Sequence, residues 1–159
     1  RERGFHCEST DAPPEGVMSE LTIRDMDQGE DFAEWFADLL HKEEAREGGQ
    51  VVAHEHYLVL LDEIGDWIGG VRYALRGGVA QLLDIAVEPE QRHRGHGRRL
   101  LAAFESRAIE AGAHVAEFWT DDTRAEPILL QAGWRRVLQR PDYVGRRTWS
   151  LMEKRFAAQ

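Results

Sequence analysis

The stretch that most constrains the fold is residues 82–111, where an apolar run, a basic loop and a helical pattern follow one another. The run Leu82–Val87 has the length of a buried strand, and Pro89 ends it because proline lacks the N–H that a sheet ladder requires. After the loop Arg92–Arg98, apolar residues recur at helical spacing as far as residue 111. The stretch predicts a strand, a loop and a helix.

The loop itself predicts an anion site. Gly95 and Gly97 let the backbone turn tightly and approach a ligand without a Cβ in the way. The first N–H groups of the following helix have no internal partners, and the helix dipole makes that end positive. Four cations surround the same point: Arg92, Arg94, Arg98 and Arg99. This combination suits a pyrophosphate, and the alternative is a surface turn before an ordinary helix.

The rest of the chain predicts a mixed α/β domain in the order β, α, β, β, β, α, β, α, β, β. After Asp31, apolar residues recur at helical spacing, which indicates one face of a helix that ends near Gly48. The predicted strands, which flank this helix and two later ones, are Leu21–Met26, Val51–Leu61, Trp67–Leu75, Val79–Val87, His114–Thr120, Trp134–Gln139 and Arg147–Lys154. The first of the two later helices ends at Ala111, and the second is Thr123–Ala132.

Length and composition bound the organisation. A chain of 159 residues is enough for one substantial core. Residues 1–17 carry prolines and acids without periodicity and are predicted to be a disordered leader, which leaves residues 18–159 as one domain. No apolar run approaches a membrane span. Cys7 is the only cysteine, so an internal disulfide is excluded and a reducing cytoplasm is the simplest location.

The net charge of −9 is unevenly distributed. Residues 1–70 hold 18 acidic and 5 basic residues, whereas residues 71–159 hold 11 and 15. The basic half contains the predicted anion site. The acidic half opposes nucleic-acid binding and would favour a cationic partner, although these acids could equally be a solvated surface.

The chain resembles the GNAT superfamily of N-acetyltransferases over residues 21–154. That family carries a strand ending V-x-P and a loop R-x-x-G-x-G, which correspond here to Val87-Glu88-Pro89 and to Arg92-His-Arg-Gly95-His-Gly97. Ala125 and Gly133-Trp134 match a later family segment, in which Asp122 stands where asparagine is common. The resemblance implies a GNAT-like fold, a mostly antiparallel sheet flanked by helices, whose fourth and fifth predicted strands splay apart.

The resemblance also implies acetyl-CoA as cosubstrate. No metal is expected. The pantetheine arm would pair with the backbone of Ile85, Ala86 and Val87. The pyrophosphate would lie on the loop made of Arg92, His93, Arg94, Gly95, His96, Gly97 and Arg98. Acetyl transfer also needs a donor to the developing oxyanion, for which a backbone N–H near Val87 is the natural candidate.

Several residues are candidates for proton transfer. Asp84 is the first candidate base, because many family members carry a carboxylate there and an aspartate in an apolar strand is costly unless it is paired or functional. The alternative is a structural acid bonded to nearby backbone. Glu117 is the second candidate. His54 or His56 could shuttle protons, although histidines on a strand more often face solvent.

The general acid is where the chain departs from the resemblance. Many family members place a tyrosine four residues before the later glycine, and here that position is Leu129, which cannot donate a proton. Tyr143 is the candidate replacement, unless the thiolate leaves unassisted. The expected function is acetyl transfer to a small, cationic primary amine, with a homodimer as a candidate assembly. The alternatives are an acyl-CoA sensor without turnover and a protein or peptide N-acetyltransferase.

Overall fold

The computed structural model describes residues 21–26, 30–47 and 53–157, and six strands within these ranges form one sheet. The elements are α1 (Glu30–Glu47), β1 (His54–Leu61), β2 (Trp67–Arg76), β3 (Val79–Val87), α2 (His96–Glu110), β4 (Val115–Thr120), α3 (Ala125–Gln131), β5 (Arg135–Arg140) and β6 (Trp149–Arg155). The six strands lie in the order β1-β2-β3-β4-β6-β5. Among them β3 and β4 alone pair in parallel, so the predicted mixed and mostly antiparallel sheet is confirmed.

The predicted strand at Leu21–Met26 is wrong. Those residues form no regular element, and Leu21 and Ile23 are almost fully exposed. Alternating apolar residues are a local pattern, whereas a strand also needs a neighbouring edge to bond to its backbone. The helix predicted from Asp31 is confirmed as α1. The predicted leader lies outside the described residues, as do Val51 and Val52 of the next predicted strand.

The hairpins form where the sequence supplies turn residues. Gly77 and Gly78 both adopt positive φ angles, 54° and 82°, in the tight turn that joins β2 to β3. Asp62 accepts hydrogen bonds from the backbone N–H groups of Ile64 and Asp66 and so orders the turn between β1 and β2. Within the described part of the chain, none of the helices is long and apolar enough to cross a membrane.

The core lies between one face of the sheet and helix α2. Core residues of β2 and β3, such as Val71 and Leu82, face the helix side of the sheet. Gly69 lets α2 come close, since a Cβ there would lie 3.2 Å from Leu100 Cδ1. Phe104 of α2 is fully buried. The core is made mainly of Val71, Tyr73, Ala80, Leu82, Leu100, Leu101, Phe104, Ala108, Ala116, Leu129, Trp134 and Met152.

The sheet opens between β3 and β4. Their parallel pairing runs from Val79 with Val115 to Leu82 with Phe118 and stops there, although both strands continue. Residues 84–87 remain paired with β2 on one side, and residues 119–120 remain paired with β6. We call this opening the split. It is the predicted splay of the fourth and fifth predicted strands, which are β3 and β4 of the structure.

Candidate active site

The loop between β3 and α2 has the backbone geometry of an anion cradle. Pro89–Gln91 form a single turn of 3-10 helix, after which His93 and Gly95 adopt left-handed φ angles of 62° and 80°. Left-handed residues alternating with ordinary ones turn successive backbone N–H groups toward a common centre. The Arg92 side chain donates from Nε to Val87 O at 3.1 Å, which ties the loop to the end of β3.

The start of α2 completes the cradle. Gly95 caps the helix without a side-chain hydrogen bond, and the first helical bond runs from Arg99 N to Gly95 O at 3.1 Å. The N–H groups of the first turn therefore have no helical acceptor. A Cβ built on Gly95 or Gly97 would meet no described atom within 4 Å, and His96 Nδ1 is buried without a hydrogen-bond partner among the described residues. The space and the unpaired polar atom both fit a phosphate-bearing ligand.

A shallow groove continues from the cradle between α2 and α3. It has a volume of about 190 Å³ and is lined by Arg98, Leu101, Ala102, Glu105, Ile128, Gln131 and Ala132. Arg98 Nη2 donates to Gln131 Oε1 at 2.7 Å, so the side chain that flanks the cradle is also held by the neighbouring helix. Of the predicted loop residues, the structure therefore places the Arg92 side chain at the end of β3 and the Arg98 side chain beside α3.

The residues predicted to meet the pantetheine arm border the split. Ile85 and Val87 pack their side chains against the core, whereas Ala86 is exposed on the opposite face. All three lie beyond Leu82, the last residue of β3 that pairs with β4. Backbone groups on this edge of β3 are therefore free of β4 and are available to a ligand that enters the split.

Asp84 lies on the sheet face opposite α2, where it forms an ion pair. Its Oδ2 accepts from Arg72 Nε at 2.7 Å, and the side chain is 64% exposed. The hydrogen bond with Asp84 is also the main reason that the pKa of Arg72 is raised. The structural alternative for Asp84 was a bond to nearby backbone, and the partner in the structure is instead an arginine side chain.

Glu117 and Tyr143 lie on the same side of the sheet as Asp84. Ala116 and Phe118 face the core, so the alternation of β4 points Glu117 and Trp119 to the face opposite α2. Tyr143 packs against Trp119 with ring centroids 5.5 Å apart. Within the described residues, no hydrogen bond or ion pair joins Asp84, Glu117 and Tyr143 to one another.

His54 and His56, the candidate proton shuttles, lie away from Asp84, and Leu129 lies in the core. His56 stacks on Tyr73 at 5.2 Å, on the α2 side of the sheet and therefore away from Asp84, while His54 is exposed at the start of β1. Leu129 is 3% exposed and belongs to the core. It is a packing residue at the position where the resemblance places a tyrosine.

Arg72 and its pairing with Glu55 were not predicted from the sequence. Arg72 Nη1 donates to Glu55 Oε1 at 3.2 Å, so one guanidinium spans two carboxylates. One feature of the sequence could have indicated this pairing. Arg72 is the only charged residue within the predicted strand Trp67–Leu75, which directly precedes the predicted strand that contains Asp84. Among the residues that the structure describes, no group of three histidine, cysteine or acidic side chains could hold a metal ion.

Comparison with known proteins identifies the family of the chain. The profile of the acetyltransferase (GNAT) family matches residues 20–134, so the chain belongs to that family. The mycothiol acetyltransferase of Stackebrandtia nassauensis is 29% identical over 85 residues, which are 54% of this chain and 28% of that protein. The chain thus matches little more than a quarter of this relative's length.

Two solved structures are similar in fold. A protein from Agrobacterium tumefaciens that is assigned as an acetyltransferase superposes with a TM-score of 0.69 at 19% identity, covering 87% of this chain and 100% of that chain. The ribosomal-protein-S18-alanine N-acetyltransferase from Escherichia coli gives 0.61 at 19% identity, covering 66% of this chain and 71% of that chain. At these identities the similarity concerns the fold alone.

Proposed function

We propose that this protein transfers the acetyl group of acetyl-CoA to the primary amine of a small, cationic acceptor. The observation that carries the proposal is the adjacency of the cradle and the split. Val87 is the last residue of the part of β3 that does not pair with β4. Arg92 of the cradle loop donates a hydrogen bond directly to Val87 O. A ligand with its pyrophosphate on the cradle could therefore extend its arm along that edge.

The proposed reaction is a direct transfer. The neutral amine attacks the thioester carbonyl carbon, a C–N bond forms, the C–S bond breaks, and the thiolate of CoA leaves with the electron pair. The amine must lose one proton, and the thiolate gains one. Asp84 is the proposed acceptor of the amine's proton, directly or through water, with Glu117 as the second candidate. Tyr143 is the proposed donor to the thiolate, and a backbone N–H near Val87 would stabilise charge on the carbonyl oxygen.

The charge around the split supports a cationic acceptor. Glu55, Asp84 and Glu117 lie on the sheet face opposite α2, and Arg72 offsets part of their negative charge. The chain as a whole also carries a net charge of −9. A surface with this sign attracts cations and repels phosphate backbones, so we propose an amine rather than a nucleic acid as the acceptor. With Cys7 as its only cysteine, we also propose a cytoplasmic location.

One observation favours a second function, an acyl-CoA sensor without turnover. Leu129 is 3% exposed in the core, at the position where the family resemblance places a proton donor. If Tyr143 does not replace that donor, the protein would bind acetyl-CoA without efficient transfer. A protein or peptide N-acetyltransferase is the third candidate, and it would differ from the first in the acceptor alone.

The test first measures the binding of acetyl-CoA to the protein. It then measures thiol release from acetyl-CoA in the presence of polyamines, aminoglycosides, amino acids and short peptides. Acetylation of a small cationic amine is the expected result. Acetyl-CoA binding without any product would favour the sensor, and transfer to peptides alone would favour the third candidate. Absence of acetyl-CoA binding would overturn all three.

A further inference from the structure

Arg72 holds two carboxylates on the sheet face that borders the split. Its Nε donates to Asp84 Oδ2 at 2.7 Å, and its Nη1 donates to Glu55 Oε1 at 3.2 Å. The three residues come from adjacent strands, with Glu55 on β1, Arg72 on β2 and Asp84 on β3. The guanidinium therefore lies between two acids and forms a hydrogen bond with each of them.

A β-bulge places Asp84 opposite Arg72. Tyr73 pairs with Leu82 and Arg72 pairs with Asp84, so Leu83 is an extra residue on β3. The extra residue reverses the alternation of the strand: Leu82 and Ile85 both face the core, three positions apart. Without the bulge, Asp84 would point into the core rather than toward Arg72.

We propose that Arg72 is a positioning residue for acetyl transfer. It holds Asp84 Oδ2, while Oδ1 has no hydrogen-bond partner among the described residues and could meet the acceptor amine. This inference rests on the proposed function, in which Asp84 contacts that amine. Arginine suits the task because its planar guanidinium offers several donors in a fixed arrangement, so it can bind two carboxylates at once.

Folding stability does not explain the arrangement. The Arg72, Glu55 and Asp84 side chains are 38%, 50% and 64% exposed. Ion pairs this open to solvent contribute little to folding, because water screens them and ordering long side chains costs entropy. Removing Arg72 should therefore leave the fold intact, so that a loss of activity can be assigned to the site.

The pairing itself is tested first, without any acceptor. In nuclear magnetic resonance spectra of the whole chain, the Nε–H signal of Arg72 should exchange slowly with water. Asp84→Asn should move this signal and speed its exchange, whereas Glu110→Gln, which removes an acid that pairs with Arg107 elsewhere, should leave it unchanged. An Arg72 signal that is unaffected by Asp84→Asn would overturn the proposal whatever the enzyme's activity.

The role in transfer is tested with Arg72→Ala and the best acceptor of the amine panel. We expect kcat to fall about 10-fold with little change in the affinity for acetyl-CoA, since misplacing a reacting group slows chemistry more than donor binding. Arg72→Lys should recover part of kcat, and added guanidinium ion should partly rescue Arg72→Ala. Arg107→Ala, which removes another exposed, paired arginine, is the control and should behave as wild type.

The outcomes separate this inference from the proposed function. If the wild type transfers acetyl groups and Arg72→Ala has an unchanged kcat, the positioning role is wrong while the proposed function stands. If the wild type binds no acetyl-CoA, the proposed function fails, and the spectroscopic test still decides whether Arg72 holds Asp84.

Discussion

Trp134 Nε1 donates a hydrogen bond to Glu105 Oε1 at 2.6 Å, and this contact joins α2 to the residue that precedes β5. Lys154 Nζ lies 3.2 Å from both oxygens of the same carboxylate and also donates to Ala132 O at 2.7 Å. Trp134 is 2% exposed. The cluster therefore helps to fix α2, whose first turn forms the cradle, against α3 and β6.

The cluster predicts a loss of stability in Glu105→Gln. The variant leaves Lys154 without this charged partner in a largely buried site, so we expect the free energy of unfolding to fall by about 1–3 kcal/mol. Urea denaturation measures the change. Glu110→Gln on the same helix removes an exposed acid and should change stability by less than about 0.5 kcal/mol. Equal stabilities in the two variants would contradict the role of the cluster.

Substitutions at Leu129 should change the stability of the protein without changing its catalytic rate. Leu129→Ala should lower the free energy of unfolding by roughly 2–5 kcal/mol, because it leaves a cavity in the core. Leu129→Met nearly conserves volume and should cost less than about 1.5 kcal/mol. The methionine variant should keep the wild-type kcat, because neither side chain donates a proton. A large loss of kcat in a well-folded Leu129→Met protein would show that the position has a direct role.

The hydrogen bond between Arg135 and Glu153 should contribute to stability in a pH-dependent way. The hydrogen bond from Arg135 holds the pKa of this carboxyl below its ordinary value of 4.5, with a smaller contribution from Arg155. A lowered pKa in the folded state stabilises the protein above the unfolded-state value and ceases to do so as pH falls through the folded-state value. Arg135→Gln should therefore destabilise the protein most above pH 4.5, and the difference should shrink in more acidic solution. Denaturation midpoints across this range measure it, and a difference that grows with acid would contradict the assignment.

Much of the fold could be predicted because local signals mark its boundaries. The predicted bounds of β3 at Val79 and Val87 are confirmed, since Gly77 and Gly78 form the turn before the strand and Pro89 follows its end. Helix α2 follows in the same way from its apolar spacing. Each of these signals lies within or beside the element that it predicts.

The parts that could not be predicted depend on pairing between distant residues. The bulge at Leu83 exists only relative to β2, so the sequence of β3 does not reveal which way Asp84 points. Glu105 meets residues 29 and 49 positions away, and no periodicity connects them. The loop between β3 and α2 was therefore predictable as a local motif, whereas the partner of Asp84 was not.

Asp84 gives the most direct prediction about the chemistry. Asp84→Asn keeps the shape of the side chain but removes the charge that would accept the amine's proton. We expect kcat to fall about 100-fold while the affinity for acetyl-CoA stays nearly unchanged, because general bases typically contribute that much to rate. Steady-state kinetics and calorimetry measure the two quantities. A variant as active as the wild type would return Asp84 to a structural role.

Substitutions at Gly97 test whether the cradle binds the pyrophosphate of acetyl-CoA. A Cβ at this position would meet no described protein atom within 4 Å, so substitution should not disturb the fold. Gly97→Asp places bulk and negative charge where the pyrophosphate would lie, and Gly97→Asn adds similar bulk without the charge. We expect Gly97→Asp to bind acetyl-CoA at least about 10-fold more weakly than Gly97→Asn, a difference of about 1.4 kcal/mol.

Calorimetric titration of acetyl-CoA into the wild type and these two variants tests the central claim most directly. The account predicts saturable binding of one acetyl-CoA per chain in the wild type, weaker binding in Gly97→Asn and the weakest in Gly97→Asp. Absence of binding to the wild type, or equal affinity in all three proteins, would contradict the placement of acetyl-CoA on the loop Arg92–Arg98.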